Sequence, residues 1–147
     1  MIKRILTKVL DDVFVLFDQN DQEHGHQLGL VHNKQTMIDN FGHEKLLIWD
    51  VFVWANINDG ECDAIGIFLS DRSVKFGRKI FNEFLWISKN PMVGYKILKK
   101  AINFARENEY EFISMHTVER QPNTPRYERF YKKLGFVKDS TQFISKL

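Results

Sequence analysis

The sequence predicts an α/β (α+β) fold in which a mixed, mostly antiparallel sheet is flanked by helices around a β-α-β core. Three observations predict it. Between residues 46 and 88 lie three segments rich in β-branched and aromatic residues, divided by turn and loop signals. An amphipathic stretch of helical period then runs from Asn90-Pro91 to Arg106. An apolar segment over 112–118 follows it, and strand, helix and strand in that order give a parallel pair with a right-handed crossover.

Composition narrows the function classes. A chain of 147 residues is expected to form one domain, 1–147, with one core between two layers. Apolar residues make up 44% and aromatics 14%, more than a disordered chain carries. A net charge of +2 gives no reason to expect nucleic acid as a partner. No apolar run approaches the ~20 residues of a membrane span, so no membrane partner is expected. Cys62 is the single cysteine, which leaves no internal disulfide to make. Met1-Ile-Lys-Arg does not open a signal peptide, and a cytoplasmic location is expected.

In order along the chain, Ile2, Ile5, Leu6, Val9, Leu10 and Val13 recur at helical spacing, and 13–17 either continues that helix or becomes a strand. Residues 18–29 are polar and read as a loop, and 32–41 as a short helix stopped by Gly42. Strands follow over 46–55, 64–69 and 79–88, with Asn56-Ile-Asn-Asp-Gly60 turning an antiparallel hairpin between the first two. Asn90 is placed to cap the next helix, with Pro91 at its first position and Val93, Ile97, Leu98, Ala101, Ile102 and Ala105 on its apolar stripe. After the strand over 112–118, Pro122 and Pro125 break the chain. Thr124-Pro125 opens a helix with Tyr127, Phe130, Tyr131 and Leu134 on its stripe. Gly135 sits at its left-handed end, and a last strand covers 136–145.

The segment Tyr127-Glu-Arg-Phe-Tyr-Lys-Lys-Leu-Gly-Phe136 resembles the C-terminal motif of the GCN5-related N-acetyltransferases (GNAT). That motif is an aromatic-Tyr-x-x-x-Gly-Phe run on a helix leading into a final strand, and Phe130-Tyr131 and Gly135-Phe136 match it directly. Upstream, Gly94-Tyr-Lys-Ile-Leu-Lys-Lys-Ala-Ile-Asn-Phe-Ala-Arg106 resembles the family's cofactor helix. The resemblance covers Leu46 to the C-terminus. The family's pyrophosphate loop, Gln/Arg-x-x-Gly-x-Gly/Ala, aligns with Lys89-Asn-Pro-Met-Val-Gly94: Lys89 stands for Gln or Arg, Met92 for the first Gly, and Gly94 matches. A loop shorter by two residues is the other alignment. Thr124 stands where the family often has Asn, with Asn123 beside it.

The resemblance implies acetyl-CoA as cosubstrate, no metal, and direct transfer of acetyl to an amine of a small-molecule or protein acceptor that the sequence does not name. It implies cofactor contacts from Leu85 and Ile87, from Lys89, Met92, Val93, Gly94, Tyr95 and Lys96, and from Asn123, Thr124 and Phe130. It leaves the oligomeric state open, a homodimer included. The rival reading is a non-catalytic GNAT-fold binding or structural protein with a degenerate cofactor loop. Pro91, which has no N–H, and bulky Met92 favour it.

Acetyl transfer needs a neutral amine, a stabilised oxyanion and a protonated leaving thiol. Glu83 is the candidate base, read as sharing one face with Phe81, Leu85 and Ile87 in strict alternation. Tyr131 matches the family's tyrosine near the cofactor sulfur, a phenol that can act as general acid. Backbone N–H groups over 85–87, where the family splays two strands apart, would meet the oxyanion. His116, on the strand after the cofactor helix, could face the substrate groove, but a structural or surface place is preferred over catalysis. His24, His26, His32 and His43 fit no metal-ligand spacing. Arg72, Lys75, Arg78 and Lys79 read as a solvated basic loop.

Overall fold

The computed structural model describes residues 2–5, 11–23, 33, 35–36, 45–46, 49–72, 77–116, 124–139 and 145–146. Its elements are β1 (Ile2–Ile5), α1 (Asp11–Glu23), β2 (Lys45–Leu46), β3 (Trp49–Asn58), β4 (Glu61–Arg72), β5 (Lys79–Ser88), α2 (Pro91–Glu107), β6 (Phe112–Ser114) and α3 (Thr124–Lys133). The strands make one sheet in the order β1-β3-β4-β5-β6, with β2 also paired to β3. Every pair is antiparallel except β5 with β6, which is parallel and joined through α2. This is the mixed sheet with a β-α-β step that the sequence predicts.

The N-terminus departs from expectation. Ile2–Ile5 is a strand, paired from Ile2–Asn56 to Ile5–Val53 on β3. Apolar residues three apart suit a helix in isolation, but the open edge of β3 offers backbone partners that a four-residue segment cannot supply to itself. α1 takes in 13–17 and continues to Glu23, through polar residues read as loop. Leu16 and Phe17 give it the buried face that holds it. The strand after α2 stops at Ser114, and 136–139 has no regular structure. Most of the expected helix over 32–41, and 140–144 of the expected last strand, lie outside the described residues.

Period-two alternation sorts β3 between two cores. Val51, Val53 and Ala55 join Leu16 and Phe17 of α1 on one face. Phe52 and Trp54 meet α2 on the other, where Ile97, Ala101 and Ala105 lie over Phe68 and Phe81. Asp59 and Gly60 both take positive φ, which is how a two-residue hairpin between β3 and β4 matches strand twist. Asn90 caps α2 with its side chain, and Pro91 fills the first position, as expected. Among the described residues no helix is long and apolar enough to cross a membrane.

Candidate active site

β5 carries a bulge. Ile67 pairs with Leu85 but Phe68 with Glu83, so Phe84 is the extra residue between the two pairs. One extra residue reverses the face taken by every side chain beyond it. Phe81, and Glu83 opposite Phe68, lie on the α2 face, whereas Leu85 and Ile87 pack into the α1 core. The expected single face shared by Phe81, Glu83, Leu85 and Ile87 is therefore corrected, and Trp86 takes the α2 face instead.

At the same point β6 leaves β5. Their pairing runs from Ile80–Phe112 to Asn82–Ser114 and ends, while β5 continues to Ser88. Glu83 bridges the opening. Its Oε2 accepts the His116 backbone N–H at 3.0 Å and lies 2.9 Å from His116 Nδ1. The Glu83 side chain is 7% exposed and the His116 side chain 64%. A carboxylate facing Nδ1 puts the proton on that nitrogen, so the neutral ring keeps its lone pair on Nε2. The hydrogen bond to Glu83 holds the His116 pKa above its ordinary 6.5, against partial burial that pulls it down.

Tyr131 reaches the same place from α3. The helix ends as a Schellman motif: Gly135 has φ 89°, its N–H donates to the Lys132 carbonyl at 3.1 Å, and the Phe136 N–H donates to the Tyr131 carbonyl at 3.0 Å. The Phe136 ring packs 5.6 Å from that of Tyr131. The Gly-Phe of the motif thus closes the helix and clamps Tyr131. Its ring also meets Phe130 at 5.8 Å and Trp86 at 6.2 Å. The hydroxyl donates to the His116 carbonyl over a long 3.4 Å. Burial first, then the Glu83 charge and Tyr127, push its pKa far up, so it stays a phenol.

The start of α2 is more closed than a phosphate cradle. Pro91 has no N–H. The Met92 N–H donates to Asn90 Oδ1 at 2.9 Å, and the Val93 and Gly94 N–H groups both donate to the Asn90 carbonyl at 3.0 Å. Gly94 turns its bare side to β5, where a Cβ would lie 2.9 Å from Ser88 Cβ and 3.2 Å from the Trp86 ring. The Trp86 indole donates to the Gly94 carbonyl at 3.1 Å. Gly94 therefore lets helix and strand touch; the expected approach of a phosphate is not what its missing side chain makes room for.

The remaining predicted positions divide between the two places. Lys89, Met92 and Lys96 are exposed at the α2 start, with Val93 and Tyr95 half-buried beside them. The Tyr95 ring meets Phe130 of α3 edge-on at 5.8 Å. Thr124 is buried at the first position of α3, and Asn123 lies outside the described residues. Lys96, Lys99 and Lys100 line an open groove of about 540 Å³ that shares no residue with the Glu83–His116–Tyr131 cluster.

An acetyl thioester with a phosphate-bearing tail matches two features of this arrangement. One is the β5 segment beyond Asn82, beside Glu83 and Tyr131, where the pairing with β6 has ended. The other is the Met92 N–H, whose occupant is a side chain able to rotate away, with Lys89 nearby to meet negative charge. Arg78 pairs with Glu111 at 2.6 Å, and Lys79 Nζ donates to the Asn108 carbonyl at 2.8 Å, so these two basic residues serve the local fold. Among the described residues no three His, Cys, Asp or Glu side chains gather as metal ligands.

Solved structures share the fold over its full length. The chain is similar to an aminoglycoside acetyltransferase from an uncultured soil metagenomic sample, with TM-score 0.73 and 9% identity, covering 100% of this chain and 95% of that one. It is similar to a ribosomal-protein-alanine N-acetyltransferase from Brucella melitensis biovar Abortus 2308, with TM-score 0.72, 9% identity and coverage of 100% and 98%. A Trypanosoma brucei acetyltransferase gives TM-score 0.69, 11% identity and coverage of 100% and 99%. No protein-family model and no curated protein matches the chain by sequence. At such identities the likeness is one of fold: the chain has the GNAT fold that its two motif segments implied.

Proposed function

We propose that the chain is an acetyl-CoA-dependent N-acetyltransferase that moves the acetyl group directly to an amine of its acceptor. The observation that carries this reading is the meeting of Glu83, His116 and Tyr131 where β5 and β6 part. Acetyl-CoA supplies the acetyl group as a thioester. A primary amine with a pKa of ~10.4 is mostly protonated at neutral pH and must lose a proton before it attacks. The buried Glu83 carboxylate supplies the negative charge that draws this proton away. Tyr131, kept as a phenol by its surroundings, hands a proton to the departing sulfur. Backbone N–H groups of β5 near Leu85 and Ile87 stabilise the oxyanion.

Lys89, Met92, Val93, Gly94, Tyr95 and Lys96 at the start of α2 hold the cofactor in this reading, with Thr124 and Phe130 of α3, and Asn123 by its place in the sequence motif, completing the site. The acceptor is an amine, as the names of the aminoglycoside and ribosomal-protein-alanine acetyltransferases of like fold suggest. Millimolar acetyl-CoA should raise the melting temperature, since it binds the folded chain alone. Thiol release should then follow on adding an amine from a panel of an aminoglycoside, a polyamine and a peptide with a free N-terminus. No thermal shift and no thiol release with any of them would overturn the reading.

Asn90 favours a second reading, a non-catalytic GNAT-fold protein, because its carboxamide already takes the Met92 N–H. Asn90→Gly separates the two. Removing this cap costs a few tenths of a kcal/mol and frees the Met92 N–H. The variant should melt slightly lower alone and gain more from acetyl-CoA than the wild type does. An equal gain would remove the start of α2 from the cofactor site.

A further inference from the structure

We propose that His116 takes the proton from the acceptor amine through Nε2, and that Glu83 acts through it as a positioning residue. This rests on the transferase reading above and names its base. Glu83 is the carboxylate a sequence reading selects, yet its position argues against direct contact with an acceptor. It is 7% exposed, and its Oε2 is occupied by both the backbone N–H and Nδ1 of His116. The His116 ring bound to it is 64% exposed, and its second nitrogen, Nε2, is the one not turned to Glu83. Two bonds to one oxygen fix the main chain and the ring of the same residue, so the direction of Nε2 is set by the protein.

The same residue ties the base to the acid, because the His116 carbonyl accepts the Tyr131 hydroxyl. Among the described residues, the titratable groups around this arrangement are Glu83 on β5 and Tyr131 and Tyr127 on α3. The reaction balances. An ammonium and a thioester give an amide, a free thiol and one proton. Nε2 takes the first amine proton. The nitrogen then forms the C–N bond as the C–S bond breaks. Tyr131 gives its proton to the sulfur and regains one from the nitrogen, and His116 releases its own to water.

The neutral ring is the working form, so kcat/KM should rise with pH through the His116 pKa, above 6.5. His116→Gln should lower kcat/KM by about 100-fold or more and abolish that acidic limb, while acetyl-CoA still raises the melting temperature as in the wild type. His116→Asn, which keeps a donor beside Glu83, should lose the same activity and guards against a folding artefact. In Glu83→Gln the limb should move to lower pH, because the charge that raises the His116 pKa is gone. Imidazole ¹⁵N spectra, assigned by the signal missing from His116→Gln, should show the neutral wild-type ring protonated on Nδ1. Wild-type rates and an intact acidic limb in both His116 variants would overturn the proposal while leaving the transferase reading standing, as would a ring protonated on Nε2. A wild type inert toward every amine of the panel would overturn both.

Discussion

Replacing Tyr131 by Phe is expected to lower kcat for acetyl transfer by about 10²–10⁴-fold, with acetyl-CoA binding largely unchanged. The substitution is narrow. Phe keeps the ring and with it the contacts to Trp86, Phe130 and Phe136. What disappears is the hydroxyl and its 3.4 Å bond to the His116 carbonyl. A bond that long contributes little, so folding stability should fall by about 1 kcal/mol or less. A large loss of rate beside a small loss of stability therefore isolates the chemistry of the O–H. Thiol release measures the first and a thermal melt the second. A Phe variant that turns over at the wild-type rate would take Tyr131 out of the acid role and leave it as packing.

The largest loss of stability is expected from Phe81→Ala, about 3–5 kcal/mol by urea unfolding. Phe81 is fully buried at the centre of the α2-face core. Its ring stacks on Phe68 at 5.1 Å and 7° and meets Tyr110 at 4.9 Å, Phe52 at 5.6 Å and Phe104 at 5.6 Å. Truncation leaves a hole among rings that cannot all close around it. Against a total stability of about 5–15 kcal/mol, such a loss brings the domain close to unfolding. Phe81→Leu, which refills much of the volume, should cost less. A loss below about 1 kcal/mol in the Ala variant would mean that this aromatic stack does not hold the sheet to α2. Phe81 also lies two residues before Glu83 on β5, so the core and the candidate site share one strand.

Different parts of the chain were legible to different degrees. α2 and the end of α3 were readable because their signals are local. Asn90 bonds a backbone N–H two residues on, Pro91 presets the first turn, and Gly135 takes the left-handed conformation that closes α3 over Tyr131. The hairpin at Asp59-Gly60 is local in the same way. β1 was not readable, since the spacing of Ile2 and Ile5 suits a helix as well as a strand and the edge of β3 decides between them. Gly94 was noticed for the right reason, close approach, but its neighbour proved to be Ser88 and Trp86 of β5.

The candidate site shows the same division. The residue types and their order along the chain, Glu83 on a strand before the cofactor-like helix and Tyr131 ahead of Gly135-Phe136, were determined by the sequence alone. Tertiary structure decided how they meet. The bulge at Phe84 has no local mark, because it exists only in the register of β5 against β4. The bond between Glu83 and His116 spans 33 positions and depends on where the parallel pairing of β5 and β6 ends. Caps, turns and stripes are set by neighbours within a few residues. Register, face and strand edge are set by partners far along the chain, and these brought a surface histidine and a buried carboxylate into one hydrogen-bonded pair.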